Sequence, residues 1–233
     1  MPDSPSGLSN RILAAMPAEE YSRLLPDLEP FPRVLEHVLY APGEEMTHVY
    51  FPERGVISLV TVMREGQEVE AATIGNEGMA GLPAFFGQTI ATARWIVQVA
   101  DGSHRVPRRT FLDHVESMPE LQRLLGVYAG QLLDQVAQSA ACNAVHGLPE
   151  RCARWLLMAH DRMQGDNFHL TQEFLSQMLG VYRPRVTMAA RTLQTAGLIT
   201  YRRGDVQIID REGLEDASCE CYQATRERFA GTY

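Results

Sequence analysis

The sequence contains no lysine, few cysteines and no long apolar run. All 21 of its basic residues are arginine. No segment is long and apolar enough to cross a membrane, and the N-terminus MPDSPSGLSN lacks a signal-peptide pattern, so we expect a cytoplasmic protein without a membrane partner. In that compartment the four cysteines, Cys142, Cys152, Cys219 and Cys221, are expected to be thiols rather than disulfides.

The chain has a net charge of −8, which by itself disfavours a nucleic-acid partner, but the charge is unevenly distributed. Residues 1–149 hold 10 Arg against 18 Asp and Glu, and residues 212–233 hold 2 against 5. Residues 150–211 hold 9 Arg against 6 Asp and Glu. The middle segment is therefore the only positive one, and local positive charge is what phosphate contact requires.

The positive segment contains the pattern of a winged helix-turn-helix. Two runs of apolar residues with helical spacing are separated by Gly180, a residue suited to the tight turn between two helices. Gly197 ends the second helix, and two β-prone runs, Leu198–Tyr201 and Val206–Ile209, follow it as a hairpin. Such a unit places its second helix in the major groove of DNA.

The N-terminal half has a different pattern of apolar residues. Short alternating or β-branched runs are separated by turn signals that contain Gly or Pro, which predicts an antiparallel β-barrel or roll. The predicted strands are Val34–Tyr40, His48–Phe51, Val56–Val62, Glu68–Thr73 and Arg94–Ala100, after a short helical segment over 8–28.

A long helix is predicted between these two parts. Seven of its residues alternate by four and three, the period of a two-helix seam, and they predict a homodimer through this face. They are Leu121, Leu125, Tyr128, Leu132, Val136, Ser139 and Asn143, with Gln135 as the alternative to Val136. The alternative is a helix whose seam packs on its own domain. Nearby small residues, such as Gly126, Gly130 and Ala137, would permit close approach.

The sequence thus predicts an α+β protein with an N-terminal antiparallel β-roll of the jelly-roll type, a long dimerisation helix and a C-terminal winged helix-turn-helix. The predicted boundaries are 1–109 for the sensor roll, 110–146 for the dimerisation helix, 147–211 for the DNA-binding domain and 212–233 for a polar, helical tail.

This order of elements resembles the Crp/Fnr family of bacterial transcription regulators. The resemblance rests on the run from Leu179 to Thr187, LGVYRPRVT, with Thr171 before it and Gly197-Leu198-Ile199 after it. The segment Tyr40–Glu44 and the Gly-rich segment Ile74–Gly81 support it. It implies a homodimer that senses a signal and binds double-stranded operator DNA, with RNA polymerase as a further candidate partner.

The resemblance makes Arg183 the base-reading arginine, since a guanidinium can donate two hydrogen bonds to guanine. Pro184 stands where many members carry an acidic base reader, so the operator half-site should differ from theirs. The predicted DNA contacts combine the exposed start of the recognition helix, the preceding helix and the wing. They are Thr171, Gln172, Tyr182, Arg183, Arg185, Thr187, Met188, Arg191, Arg202 and Arg203.

The sensor departs from the cyclic-AMP-binding members of the family. Where they carry a Gly-Glu pair and an Arg-Ser pair, this chain has Gly81-Leu82 and Thr92-Ala93, and Val136-Ala137 replaces the pair that faces the base. Cyclic AMP is therefore not expected to be the effector. If an effector binds, the predicted pocket residues are Glu77, Gly81, Leu82, Thr92, Arg94 and Val136, with Arg94 sharing a strand face with Thr92.

No cofactor or metal site is predicted. An iron–sulfur cluster of the family's kind needs cysteines near the N-terminus, and no cysteine precedes Cys142. Haem is not expected, because no motif singles out His37, His48, His104 or His114 as a ligand. The Cys219-Glu220-Cys221 pair could bind metal or respond to oxidants, but a complete metal site needs more ligands.

Two other classes of function are alternatives to DNA binding. No phosphate-binding glycine loop, HExxH sequence or nucleophile elbow is present, so an enzyme is not predicted. A ligand-binding or protein-interaction module with a purely structural helix-turn-helix remains the alternative, and the positive charge of 150–211 argues against it.

Overall fold

The structure is a computed structural model that describes residues 8–31, 34–99, 102–163 and 165–230. The α-helices in these ranges are α1 Arg11–Ala14, α2 Ala18–Leu24, α3 Arg108–Ser117, α4 Pro119–Val145, α5 Leu148–His160, α6 Gln172–Leu179, α7 Arg183–Thr195, α8 Arg211–Asp216 and α9 Cys221–Ala230. The strands are β1 Glu29–Phe31, β2 Val38–Tyr40, β3 His48–Pro52, β4 Val56–Val62, β5 Glu68–Ile74, β6 Arg94–Val99, β7 Ser103–Pro107, β8 Asn167–His169, β9 Ile199–Arg202 and β10 Asp205–Ile208. None of these helices has the length and apolar character that a membrane span requires.

The N-terminal strands form two antiparallel sheets, as predicted for a β-roll. One has the order β1-β7-β3 and the other β2-β6-β4-β5. Their buried side chains share one core with α1, α2, α3 and the first half of α4. The fold class predicted from the sequence, α+β with a β-roll, a long helix and a winged helix-turn-helix, is confirmed.

Some strand boundaries differ from the prediction. β2 begins only at Val38, because the chain turns before it and Glu36 has a φ of +63° that a strand does not accommodate. β1 and β7, which were not predicted, pair with each other and with β3. Both are short, and β1 contains Pro30, so neither has the alternation that identifies a strand in sequence.

The predicted dimer seam on α4 is wrong, because this face packs on its own protomer and not on a second copy. Leu121, Leu125, Tyr128, Leu132 and Ser139 are buried within their own chain. Val136 packs partly buried on the same core, and Asn143 alone among the seven seam residues is exposed. The regular spacing marks a helix packing face, and that face covers the β-roll and α9 of the same protomer.

A second face of α4 is apolar and exposed. Gly126, Gly130, Leu133, Ala137, Ala140 and Ala144 are all exposed and also alternate by four and three. The side chain of Leu133 is 69% exposed, and Val127 and Val145 extend the same apolar surface. We call these eight residues the α4 outer face. Apolar residues in a regular helical seam that the chain itself leaves uncovered are typical of a helix–helix interface.

The C-terminal unit has its own core, which also reaches into the sensor. Buried residues of α5, α6, α7 and the β8-β10-β9 sheet form one cluster with Val56, Val60 and Val99 of the β-roll. The predicted polar tail is helical, but part of it is buried, since Tyr222 and Phe229 of α9 are enclosed. α9 packs along α4 and ties the tail to the sensor.

A buried ion pair joins the two units. The side chains of Glu77 and Arg162 are 6% and 7% exposed, and Arg162 Nη2 lies 2.7 Å from Glu77 Oε1. Arg162 Nε donates to both carboxylate oxygens, while the amide of Gly75 donates to Glu77 Oε1 at 3.0 Å. Position 75 requires glycine, since a Cβ there would lie 2.3 Å from Arg162 Cδ.

Because neither charge is solvated, removing one partner should cost much more than removing both. We expect Glu77→Gln or Arg162→Met alone to lower the free energy of unfolding by about 3–5 kcal/mol. The double variant should lose clearly less than the sum of the two. Urea unfolding at pH 7 measures all three variants.

The matched control is Glu29→Gln, which breaks the more exposed pair between Glu29 and Arg105 and should leave stability unchanged within error. Additive losses from the Glu77 and Arg162 variants would contradict an energetic coupling between the two units.

Candidate nucleic-acid interface

The helix-turn-helix is built by local signals in the sequence. Thr171 caps α6, since its hydroxyl oxygen accepts a hydrogen bond from the Phe174 amide at 3.2 Å. Gly180 takes a φ of +63° and ends the helix. α7 begins at Arg183 with Tyr182 as its N-cap residue, and Pro184 occupies the first turn, where no backbone N–H is needed. The predicted recognition helix is therefore present, and it begins at Arg183.

One face of α7 anchors it and the other is open. Val186, Ala189, Ala190 and Leu193 are buried in the core of the C-terminal unit. The remaining predicted contact residues of this helix, Arg183, Arg185, Thr187, Met188 and Arg191, are exposed, as is Tyr182 before it. Since residues four apart share a helix face, Arg183, Thr187 and Arg191 line one ridge.

Hydrogen bonds between α6 and α7 fix the start of this ridge. The Thr187 hydroxyl lies 2.7 Å from Gln172 Oε1 and 3.2 Å from the Arg183 carbonyl oxygen. Arg183 is 4.0 Å from Glu173, and both side chains are mostly exposed, so this ion pair is weak and the guanidinium can exchange it for a stronger acceptor. Gln172 and Thr187 thus act as a pair rather than as two independent contacts.

The wing is a tight hairpin with arginine at its tip. β9 and β10 pair in antiparallel register, and Arg203 and Gly204 both have positive φ, at 55° and 89°. Two positive φ values in a two-residue loop are typical of a type I′ turn. Arg202 and Arg203 are exposed, and the amide of Tyr201 donates to Gln194 Oε1 at 2.9 Å, which links the wing to α7.

Tyr182 and Arg185 lie on the flank of α7 that faces the sensor. With Gly180 and Val181 they line a cleft of about 420 Å³, whose other wall is the segment 66–69 of the β4–β5 hairpin. A Cβ at Gly180 would lie 3.3 Å from Val69. The recognition helix therefore begins beside the sensor hairpin, so its position depends on the position of that hairpin.

The same interface contains a carboxylate that was not predicted from the sequence. Glu70 of β5 accepts a hydrogen bond from Trp155 Nε1 at 2.9 Å and another from the Ser58 hydroxyl. Glu70 is only partly exposed, and desolvation of its carboxylate raises its pKa to about 7. This group changes charge near neutral pH between the sensor and α5.

The six predicted effector residues do not form one pocket. Glu77 is committed to Arg162, Leu82 is buried, and Val136 packs on the core of the β-roll. The predicted strand face shared by Thr92 and Arg94 is wrong, since β6 begins at Arg94 and Thr92 lies exposed in a bend before it.

The remaining two predicted effector residues, Arg94 and Gly81, do not line a pocket either. Arg94 of β6 pairs with Glu68 of β5, across the intervening strand β4, so its guanidinium already has a carboxylate partner. Gly81 has a φ of +90° and its Cβ position would face Tyr40 and Val49 of the core. It therefore serves the turn before Leu82.

Comparison with known proteins agrees with this architecture. Residues 35–113 match the family model of the cyclic nucleotide-binding domain, and residues 150–217 match that of the Crp-like helix-turn-helix domain. No curated protein matches the sequence.

Several solved structures share the fold. FixK2 from Bradyrhizobium japonicum is 16% identical, with a TM-score of 0.69 over 82% of this chain and 98% of that chain. CLP, the c-di-GMP-responsive global regulator of Xanthomonas campestris, is 17% identical, with a TM-score of 0.65 over 82% and 99%. A CRP/FNR-family transcriptional regulator from Thermus thermophilus is 21% identical, with a TM-score of 0.65 over 82% and 98%.

The two family models lie side by side on one chain, in the order found in regulators of this kind, and together they cover both structural units. The fold over 82% of this chain agrees with the folds of FixK2 and CLP as well. Proteins with this arrangement regulate transcription and are not enzymes. The chain belongs to the Crp/Fnr family of transcription regulators.

Proposed function

We propose that this protein is a homodimeric regulator that binds operator DNA through α7 and the wing, and that its sensor responds to a signal other than cyclic AMP. The observation that carries the DNA-binding part is the exposed arginine surface of the C-terminal unit. Arg183 and Arg191 lie on the open side of α7, and Arg202 and Arg203 lie on the wing. Phosphate contacts from the wing would position the unit, and Arg183 would read a base.

The surface of α7 also indicates which contacts would specify sequence. Pro184 carries no hydrogen-bond donor, and the side chain of Met188 is 71% exposed beside it. An exposed apolar pair next to one arginine favours a half-site with a guanine for Arg183 and an apolar contact, such as a thymine methyl group, beside it.

Removing the Arg183 side chain should selectively weaken operator binding. We expect Arg183→Ala to lower affinity for the operator about 10- to 100-fold, the equivalent of one bidentate guanine contact. Affinity for an unrelated duplex should change little. Fluorescence anisotropy with a duplex from the upstream region of the protein's own gene, against a scrambled duplex at the same salt concentration, measures the difference.

The matched control is Arg109→Ala, which removes an exposed arginine from α3 of the sensor and should leave both affinities unchanged. Equal operator binding by the Arg183→Ala variant and the wild type would exclude Arg183 as a reader. An equal and weak affinity of the wild type for both duplexes would favour the module with a structural helix-turn-helix.

The α4 outer face supports the homodimer. A second copy of the same helix is the partner that suits it, because small residues at Gly126, Gly130 and Ala137 let two helices approach closely around Leu133. A two-fold axis along α4 would also present two recognition helices to a palindromic site.

A charge at the centre of the α4 outer face should separate the protomers. We expect Leu133→Asp to convert the dimer to a monomer in size-exclusion chromatography with light scattering, because two carboxylates would be buried against each other. The fold should persist, since Leu133 is 69% exposed in the protomer. Val34→Asp is the control, at an apolar residue of the sensor that is 66% exposed. A Leu133→Asp variant that stays dimeric would place the dimer interface elsewhere.

The surroundings of the sensor residues support the proposal that cyclic AMP is not the effector. A cyclic nucleotide needs a cation for its phosphate and an acceptor for its ribose hydroxyl. Leu82 and Val136 supply neither, and Glu68 places a carboxylate against the guanidinium of Arg94. A phosphate at this arginine would have to displace that carboxylate.

We therefore expect no heat of binding when cyclic AMP is titrated into the folded protein, at concentrations up to about 1 mM. Isothermal titration calorimetry measures it, with a thermal melt of the same sample to show that the protein is folded. A saturable isotherm with a micromolar dissociation constant would overturn this part of the proposal and leave the DNA-binding part intact.

A further inference from the structure

Four side chains with metal-binding atoms meet where α4 ends. Cys142 lies in the last turn of α4 and His146 follows that helix, so the two share a face at a spacing of four residues. Cys219 and Cys221 come from the other end of the chain, at the start of α9. One donor atom from each of the four lies within 4.8 Å of all the others.

Two of the distances between donor atoms are close to those of a tetrahedral site. Cys142 Sγ lies 3.5 Å from Cys219 Sγ, and Cys221 Sγ lies 3.5 Å from His146 Nδ1. Around a zinc ion with ordinary Zn–S and Zn–N bond lengths, two sulfurs are about 3.8 Å apart and a sulfur and a nitrogen about 3.6 Å apart. The three cysteines are at most 5% exposed, and together they form a small cluster separate from the two main cores.

The groups around the cluster are also those of a metal site. His146 directs Nδ1 at the cluster, while its Nε2 lies 3.0 Å from Glu220 Oε2. A histidine that binds a metal through one ring nitrogen usually donates from the other to a carboxylate, which fixes the ring. Gln138 Nε2 donates to Cys221 Sγ at 3.0 Å, a contact that stabilises a thiolate.

We propose that Cys142, His146, Cys219 and Cys221 bind one Zn²⁺ ion in each protomer. Three soft sulfur ligands and one imidazole in tetrahedral arrangement are a donor set that zinc prefers, and four protein ligands leave no position open for a substrate. Each cysteine thiol releases its proton to solvent as its Zn–S bond forms, and His146 binds as the neutral imidazole. No oxidant or reductant takes part.

Such an ion would fasten the C-terminal unit to the sensor helix. Cys142 and His146 belong to the end of α4, immediately before the α4–α5 junction at Gly147, which we call the hinge. Cys219 and Cys221 follow the helix-turn-helix. The metal would crosslink the end of α4 to the start of α9. The DNA-binding unit lies between these two points in the sequence, so both of its ends would be attached to the sensor helix. The site is therefore a structural clamp that limits how far the C-terminal unit can rotate about the hinge.

The test is the metal content of the full-length protein. After expression with added zinc and gel filtration, elemental analysis should find about one zinc ion per chain. The metal-free protein, titrated with Co²⁺ under reducing conditions, should give the intense visible absorption of tetrahedral cobalt with thiolate ligands. Both readouts are independent of DNA, so they do not depend on the proposed function.

Variants identify the ligands. Cys221→Ser and His146→Ala should reduce zinc to less than about a tenth of an ion per chain, whereas His146→Cys, which keeps four donors, should retain it. Cys152→Ala is the matched control, because Cys152 is buried in α5 outside the cluster, and it should bind zinc like the wild type. If a ligand variant does not fold, the cobalt spectrum of the wild type still decides.

Several results would overturn the proposal. One is a wild-type protein that neither contains zinc nor gives the cobalt spectrum. Another is an intact mass two hydrogens short with Cys142 joined to Cys219, which would make the pair a disulfide. A brown protein that contains iron and acid-labile sulfide would show that the four residues bind an iron–sulfur cluster and not zinc. Unchanged zinc content in both ligand variants would show that zinc binds at another site.

Discussion

The ion pair between Glu77 and Arg162 is the constraint on which the arrangement of the two units depends. Two opposite charges that are almost fully removed from water hold each other in a single geometry, because any separation leaves an unsolvated charge. Arg162 also receives the Gly55 amide on its carbonyl oxygen at 2.8 Å, and its Nη1 donates to the Met158 carbonyl oxygen. These contacts hold the C-terminal end of α5 against the β-roll. The absence of a side chain at Gly75 leaves room for the arginine, so this glycine of the Gly-rich segment Ile74–Gly81 serves the ion pair.

That constraint explains how a signal in the β-roll would reach α7. α5 packs against α7, and its buried face also contacts Val56, Val60 and Val99 of the sensor. The β4–β5 hairpin lies against α6 and the start of α7, and Glu70 bonds to Trp155 at the same boundary. A change in the position of β5 would therefore act on the reading helix through contacts that are already formed. Coupling requires only that the signal favour one of two positions of this hairpin. Charging of Glu70 near neutral pH is one perturbation that this boundary would experience directly, because burial disfavours the charged carboxylate.

The sequence predicts the C-terminal unit better than the sensor. Helix caps, a turn glycine and a two-residue hairpin loop are local signals, so α6, α7 and the wing follow from Thr171, Gly180, Pro184 and Gly204. The periodicity of α4 was also correctly recognised, but periodicity identifies a packing face without naming its partner. Leu121 and Tyr128 therefore predicted a dimer seam, although they face the β-roll of their own chain. The role of Glu77 could not be found, because its partner is 85 residues away and nothing local distinguishes it from a ligand-binding residue.

The same limit applies to the cysteines, and here the structure adds most. The Cys219-Glu220-Cys221 pair was visible in the sequence, but a pair of ligands does not make a site, and the other two donors are more than 70 residues away at the end of α4. Only the return of α9 along α4 brings them together. α4 thus carries three separate contacts: an inner face on the β-roll, the α4 outer face that suits a second copy, and a terminal cluster that holds the tail. With the proposed second copy and the proposed metal in place, α4 would be fixed on three sides and could not rotate independently of any of them. Movement between sensor and recognition helix is therefore expected at the β4–β5 hairpin, while α4 itself stays rigid.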